Sequence, residues 1–277
     1  MSFLHCGPYR LSLQRPLLMG IVNMTPDSFS GDGLGGDVDR AIAHARLQRE
    51  AGADLLDLGA ESTRPGALPT TADEELRRLL PVLEEVTAWG IPISVDTCKP
   101  TVMRAALAAG AAMINDITAL GAPGALAAVA DSDCAVCLMH MQGEPRTMQA
   151  APFYADVVGE VSAFLTAAAD RCRQAGIADE RLVVDPGFGF GKTLAHNLAL
   201  FRHLTAIAVD GLPLLAGVSR KSMLGAITGQ PVAERLAASV AAAVLAAQKG
   251  ARILRVHDVA ATRDALAVWT AIEQGEA

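Results

Sequence analysis

The chain has 277 residues, 51% hydrophobic, 19% charged and only 4% aromatic, with a formal net charge of −7. That acidic balance argues against a nucleic-acid partner, because phosphate backbones are gripped by basic stripes. No Pro/Gly-rich or polar stretch reads as a linker, so a single domain over residues 1–277 with one sizeable core is expected. The N-terminal segment MSFLHCGPYRLSLQRP has no apolar h-region, and the longest small-apolar run, near 237–247, is too short to span a bilayer. The expectation is therefore a soluble cytoplasmic protein without a membrane partner.

Apolar runs of strand length recur along the chain. In order they are LLMGIVN (17–23), DLLDLGA (54–60), IPISVD (91–96), AAMIND (111–116), AVCLMHM (135–141), RLVVDP (181–186), PLLAGVS (213–219) and RILRVHD (252–258). Each is nearly continuous in apolar residues, as parallel strands buried on both faces require. Helical patterns lie between them, among them 38–51, 72–88, 155–175 and 232–249. Thr71 with Glu74 reads as a capping box opening the second, and Gly90 as its end. Eight strands alternating with helices over about 250 residues predict an α/β fold, a (β/α)8 TIM barrel in a single domain. A doubly wound open sheet is the alternative, but no G-x-G-x-x-G follows the first strand.

Polar residues collect where each strand ends: Asn23, then Glu61, Thr63 and Arg64, then Asp96, Asn115 with Asp116, His140, Asp185, Ser219 with Arg220 and Lys221, and Arg255, His257 and Asp258. In such barrels the active site is built at the C-terminal strand ends. Strand parity sharpens the pattern, because Ile21 with Asn23, Ser94 with Asp96, Met113 with Asn115, and Arg255 with His257 each share a face. Some of these residues could instead cap the next helix, as Asp96 or Asp258 could. The cations Arg64, Arg220, Lys221, Arg255 and His257 suit a phosphate or carboxylate. Asn115, Asp96 and Asp185 suit a flat heterocycle bearing N–H donors, which Phe190 and Met139 could cover.

Two motifs are set aside. DPGFGFGKT (185–193) ends like a P-loop, but the required first glycine falls on Pro186, so a tight strand-to-helix turn is expected. Among the five cysteines, Cys134 and Cys137 form a C-x-x-C, yet residues three apart on a strand face opposite sides, and no helix follows to activate a thiol.

Taken together, MGIVNMTPDSFS (19–30), ESTRPG (61–66), SVDT (94–97), INDI (114–117), CLMHMQG (137–143), DPGFGFGK (185–192), GVSRKSMLG (217–225) and RVHDV (255–259) resemble dihydropteroate synthase along essentially the whole chain. The resemblance implies condensation of 6-hydroxymethyl-7,8-dihydropterin diphosphate with p-aminobenzoate to 7,8-dihydropteroate and diphosphate, in folate biosynthesis, by an SN1-like path. It implies Asn23 as ligand of a Mg2+ ion that accompanies the diphosphate, and Asp96, Asn115, Asp185 and Lys221 lining the pterin pocket beside Met139 and Phe190. It assigns Arg255 and His257 to the diphosphate, and Phe29, Thr63, Arg64, Pro65 and Ser219 to loops closing over p-aminobenzoate. It also implies a homodimer and a sulfonamide target. The chain departs from the family pattern in two places: F-S-G-D-G displaces Asp32 by one, and Ala60 stands where glycine is common. Loops 24–37 and 62–70 are long for a barrel and are expected to act as a lid. Folate-to-corrinoid methyltransferases, which share such a pocket but need no diphosphate clamp, and a non-catalytic pterin-binding relative are the rival readings.

Overall fold

The computed structural model describes residues 1–25, 37–62, 66–207 and 209–275. Its first element is a hairpin, β1 (Phe3–Cys6) antiparallel to β2 (Tyr9–Ser12). Strands and helices then alternate: β3 (Leu17–Asn23), α1 (Val38–Glu50), β4 (Leu55–Gly59), α2 (Ala72–Thr87), β5 (Ile93–Asp96), α3 (Pro100–Ala108), β6 (Met113–Asp116) and α4 (Ala125–Ala130). The second half continues with β7 (Ala135–Met139), α5 (Val157–Gln174), β8 (Leu182–Asp185), α6 (Leu194–Arg202), β9 (Leu214–Ala216), α7 (Ser222–Thr228), α8 (Leu236–Gln248), β10 (Ala251–Val256) and α9 (Val259–Gln274). Strands β3 to β10 pair in parallel in chain order, and β10 returns to β3, so the eight close into a barrel. This is the expected (β/α)8 fold. No helix among the described residues is long and apolar enough to cross a membrane.

Strand alternation divides the core in two. One side of each strand packs outward on helices, joining Leu18, Leu56, Ile114, Val136 and Val184 to Leu79, Leu83, Val161 and Leu165. The other side fills the barrel with Leu17, Met19, Leu55, Met113, Val183, Leu215 and Ile253. Each fully buried Leu or Met in either layer contributes about 1.5–3 kcal/mol. Cys134 belongs to the outer layer and Cys137 to the inner one, so the C-x-x-C pair does face opposite ways.

Several local expectations need correction. Apart from β3, which matches its run, the strands are shorter than the apolar runs, because ladder pairing stops before the chain turns away. Ser219, Arg220 and Lys221 therefore lie beyond β9, which ends at Ala216. Thr71 Oγ1 does accept from the Glu74 amide at 3.3 Å, but the Glu74 carboxylate turns to Arg77 and Arg78, so the reciprocal half of the capping box is not made. Helix α2 ends at Thr87, ahead of Gly90. The run 232–249 is a 3-10 turn, Val232–Glu234, followed by α8, with Arg235 bonding Gln230 and Arg220 carbonyls at the break.

The hairpin was not foreseen. Four-residue strands give too short an alternation to read, yet Leu4 and Cys6 are fully buried. They join the inner core with Leu13, Cys6 Sγ donates to the Ala112 carbonyl at 3.3 Å, and Gly7 N–H donates to Asp133 O at 3.0 Å. The hairpin stops the N-terminal end of the barrel, leaving the opposite end for a ligand.

Candidate active site

Climbing the inner face two residues at a time, the side chains change character. Leu55 is followed by Asp57, Met113 by Asn115, Val183 by Asp185 and Ile253 by Arg255, with Ser94 at the same level on β5. Asp57 is completely buried and forms the hub. It accepts from Ser94 Oγ at 2.6 Å, from Asn115 Nδ2 at 3.2 Å and from Arg255 Nε at 2.6 Å. Arg255 Nη2 reaches on to Asp96 at 2.9 Å. A lone carboxylate at this depth would be prohibitively costly; paired and hydrogen-bonded, it is tolerated.

Above this layer a cleft opens at the C-terminal strand ends. Its walls include Ile21, Asn23, Glu61, Asp96, Phe190, Ser219, Arg220, Lys221, Arg255 and His257, which the sequence marked, and Met148 and Phe188, which it did not. Asn115 and Asp185 lie beneath the cleft at 4% and 5% exposure. Met139 is equally buried, with its side chain under the turn at Gly187. Phe29, Thr63, Arg64 and Pro65, and the displaced Asp32, lie outside the described residues.

Burial sets the electrostatics. It pushes Asp96 up to about 7, with Arg255 pulling it back and Asp57 pushing it further. Asp185 is also raised by burial, against the pull of Lys221, the Gly187 amide and Lys192. Burial brings Lys221 down to about 8, with Asp185 opposing the shift. Burial works against the Arg255 charge too, but Asp57 and Asp96 outweigh it and raise its pKa. The Lys221 ammonium donates to the Phe188 carbonyl and sits 4.7 Å from the centre of the Phe190 ring, a cation–π contact.

The turn after β9 is built to present these groups. Arg220 is left-handed, at φ 57°, and is held there on three sides. Its amide donates to Ser239 Oγ at 2.9 Å, its carbonyl accepts from Arg235 at 3.0 Å, and its guanidinium forks onto Asp258 at 3.0 and 2.5 Å. Arg220, grouped with the phosphate donors, lines the cleft as well, and the fork onto Asp258 braces it there. Asp258 in turn makes no side-chain cap on α9. Ser219 Oγ lies 3.0 Å from His257 Nδ1 and accepts from the His257 amide at 3.2 Å, which joins the two loops at the cleft rim.

The segment 185–193 is the expected tight turn, and its lysine is structural. Lys192 Nζ is buried beside His140 Nδ1 at 2.9 Å and bonds the carbonyls of Phe190, Gly187 and His140 at 2.9, 3.0 and 3.3 Å. Burial lowers Lys192 to about 7 and, together with the Lys192 charge, His140 to about 3. Left-handed Gly187 and Gly191 bring the backbone so close to the His140 and Gln142 carbonyls that a Cβ would overlap them. On the opposite rim, Lys99 bridges Glu61 and buried Glu75 at 2.6 Å each, and Glu61 accepts from the Thr70 amide at 2.8 Å. That bridge fixes both ends of the loop 62–70.

Asp57, Lys192 and the Lys99 bridge were therefore missed as site-building groups. For Asp57 the signal was available: a charge flanked by leucines inside a strand buried on both faces has to find a partner. For the metal, no cluster of three His, Cys, Asp or Glu side chains among the described residues could hold an ion. The cleft does offer hard oxygens, since Asn23 Oδ1 and Asp96 Oδ2 flank Gly59, at 3.6 and 4.0 Å from where its Cβ would stand. A divalent cation that keeps waters and borrows substrate phosphate oxygens needs only one or two protein ligands, so the donors fit Mg2+ arriving with a diphosphate.

Residues 19–257 match the family described as pterin binding enzyme. The dihydropteroate synthase of Neisseria meningitidis serogroup B is 51% identical over 273 residues, 96% of each chain. Among solved structures, Burkholderia cenocepacia dihydropteroate synthase complexed with 7,8-dihydropteroate superposes with a TM-score of 0.91 at 52% identity, covering 99% of this chain and 97% of that one. The Xanthomonas albilineans dihydropteroate synthase with 4-aminobenzoic acid gives 0.91 at 53% identity, covering 98% of each.

Proposed function

The chain belongs to the pterin-binding enzymes, among the dihydropteroate synthases, and from that premise we infer how its own residues carry the reaction. It is a transferase of folate biosynthesis, joining the methylene carbon of 6-hydroxymethyl-7,8-dihydropterin diphosphate to the amine of p-aminobenzoate. The observation that carries the assignment of roles is the stacking of unlike groups in one cleft: buried Asn115 and Asp185 below, half-buried Asp96 in the wall above them, and Asn23, Ser219 and His257 at the rim.

In this reading the lower layer holds the pterin. Asp96, Asp185 and Asn115 take its N–H donors, Lys221 flanks it against Phe190, and Arg255 forms one wall. The rim holds the diphosphate, through His257 and the outward edge of Arg255. Asn23 would hold Mg2+, whose contribution is to neutralise charge on the departing diphosphate. Phe29, Thr63, Arg64, Pro65 and Ser219 take p-aminobenzoate, and Met139 supports the turn over which the pterin lies.

An arylamine is neutral and nucleophilic at pH 7, so the residues need not act as a strong base. The barrier lies in breaking the carbon–oxygen bond. As it breaks, positive charge spreads into the pterin ring, where Asp96 and Asp185 stabilise it in a low-dielectric pocket. The path is SN1-like: bond breaking precedes attack. A rate that falls steadily with weaker amine nucleophiles, at equal occupancy, would count against it.

The chain acts in the cytoplasm as a homodimer. Support for pairing comes from exposed Leu236 and Leu245 on α8 and Val268 and Ile272 on α9, helices packed side by side. Sedimentation of Leu245→Glu should show monomer where the parent shows dimer.

Diphosphate release from the pterin substrate, in magnesium buffer with and without p-aminobenzoate, tests the function. Release together with dihydropteroate is expected, with slow leakage in the absence of amine. Tight pterin binding without release would favour the non-catalytic reading.

A further inference from the structure

We propose that Asp57 is a specificity-determining positioning residue: it fixes the hydrogen-bond polarity of the pocket floor by forcing Asn115 to turn its carbonyl toward the ligand. The inference rests on the pterin reading of the site and adds to it a residue buried too deeply to line the cleft. Paired with the Arg255 guanidinium, Asp57 is a carboxylate and can only accept. Three donors converge on it, from Ser94, Asn115 and Arg255. An amide has one donating end and one accepting end, and only the donating end can face a carboxylate. Asn115 Oδ1 is thereby turned away from the hub. With the Asp96 and Asp185 carboxylates beside it, the floor becomes a set of acceptors, which selects a heterocycle edge rich in N–H groups and rejects one that presents carbonyls. Arg255 is oriented by the same hub, because its Nε bond to Asp57 aims Nη2 at Asp96.

The test is calorimetric, with two probes that differ only along the edge at ring carbon 2 and N1. 6-Hydroxymethylpterin carries an amino donor on carbon 2 beside an unprotonated N1, and 6-hydroxymethyllumazine an oxygen acceptor beside an N1–H. Both are titrated into the parent, Asp57→Asn, Asn115→Ala and the double variant, with thermal melts as a folding check. The parent should prefer the pterin, and Asp57→Asn should narrow that preference about tenfold, the worth of one charge-assisted hydrogen bond. The narrowing should be largely absent when Asn115 is already Ala. Equal weakening of both probes, adding fully to Asn115→Ala, would reduce Asp57 to a structural role and overturn the proposal. A parent that binds neither probe overturns the pterin reading instead. Should Asp57→Asn fail to fold, the Asn115 side-chain amide signals of the 15N-labelled parent decide: protected and little changed by pterin supports the proposal, and large shifts on binding overturn it.

Discussion

Inside the barrel, the inward face of β4 passes from Leu55 to Asp57 and that of β10 from Ile253 to Arg255, one step of the pleat in each case. Below that step the interior is aliphatic and stoppered by the hairpin's Leu4 and Cys6; above it, Asp57, Asn115 and Asp185 are buried in its place. Both halves hang on the same ladder of parallel strands. What differs is what each half is selected to do. The lower half gains stability from burial, and the upper half spends part of that gain on groups aimed at a ligand.

The contrast is broken most severely at Arg255. Arg255→Ala leaves Asp57 and Asp96 buried without their shared cation, so unfolding free energy should fall by about 3–5 kcal/mol in denaturant titrations. The same variant should lose more affinity for the pterin diphosphate than for free pterin; equal loss would remove Arg255 from any diphosphate role. One step below, Leu55→Ala should cost about 2–5 kcal/mol of stability through the cavity it leaves, while KM for both substrates stays at the parental value. A raised KM there would show that the two halves are not separable.

A milder perturbation is pH. Lys221 is charged below its lowered pKa of about 8, so kcat/KM should fall as pH rises through that value. Lys221→Arg, charged throughout, should flatten that alkaline limb, and an unchanged profile would exclude Lys221 as its source. Smallest is the rim of the helical layer. Thr71→Ala removes the cap of α2 and should cost about 1 kcal/mol of stability with activity per folded molecule retained.

The barrel and the polar crown were legible because both are written with period two: apolar runs that end in Asn23, Asp96, Asn115, Asp185 or His257 say which end is up. Asp57 escaped because it sits in mid-strand, away from the ends where polar residues mark a barrel mouth, although an acid within LLDLG is the least affordable residue in that strand. Lys192 was read against the wrong template; its spacing fails for a P-loop, and its actual role, tying two carbonyls of its own turn to the His140 carbonyl beyond β7, has no linear signature. The hairpin is short and its buried residues are only two per strand at most, below what periodicity can reveal. The Lys99 bridge joins residues from a strand end and two helix starts, and only the closed fold brings them together.

The turn at Gly187 and Gly191 bears on how such a pocket can change over generations. Any side chain at either position would collide with the His140 or Gln142 carbonyl, and both glycines also hold left-handed backbone. Mutation there removes the enzyme before it can alter what the enzyme accepts. A lineage pressed to admit one ligand and refuse its mimic is therefore steered away from this side of the cleft, and its surviving variants should accumulate in the loops around the rest of the rim.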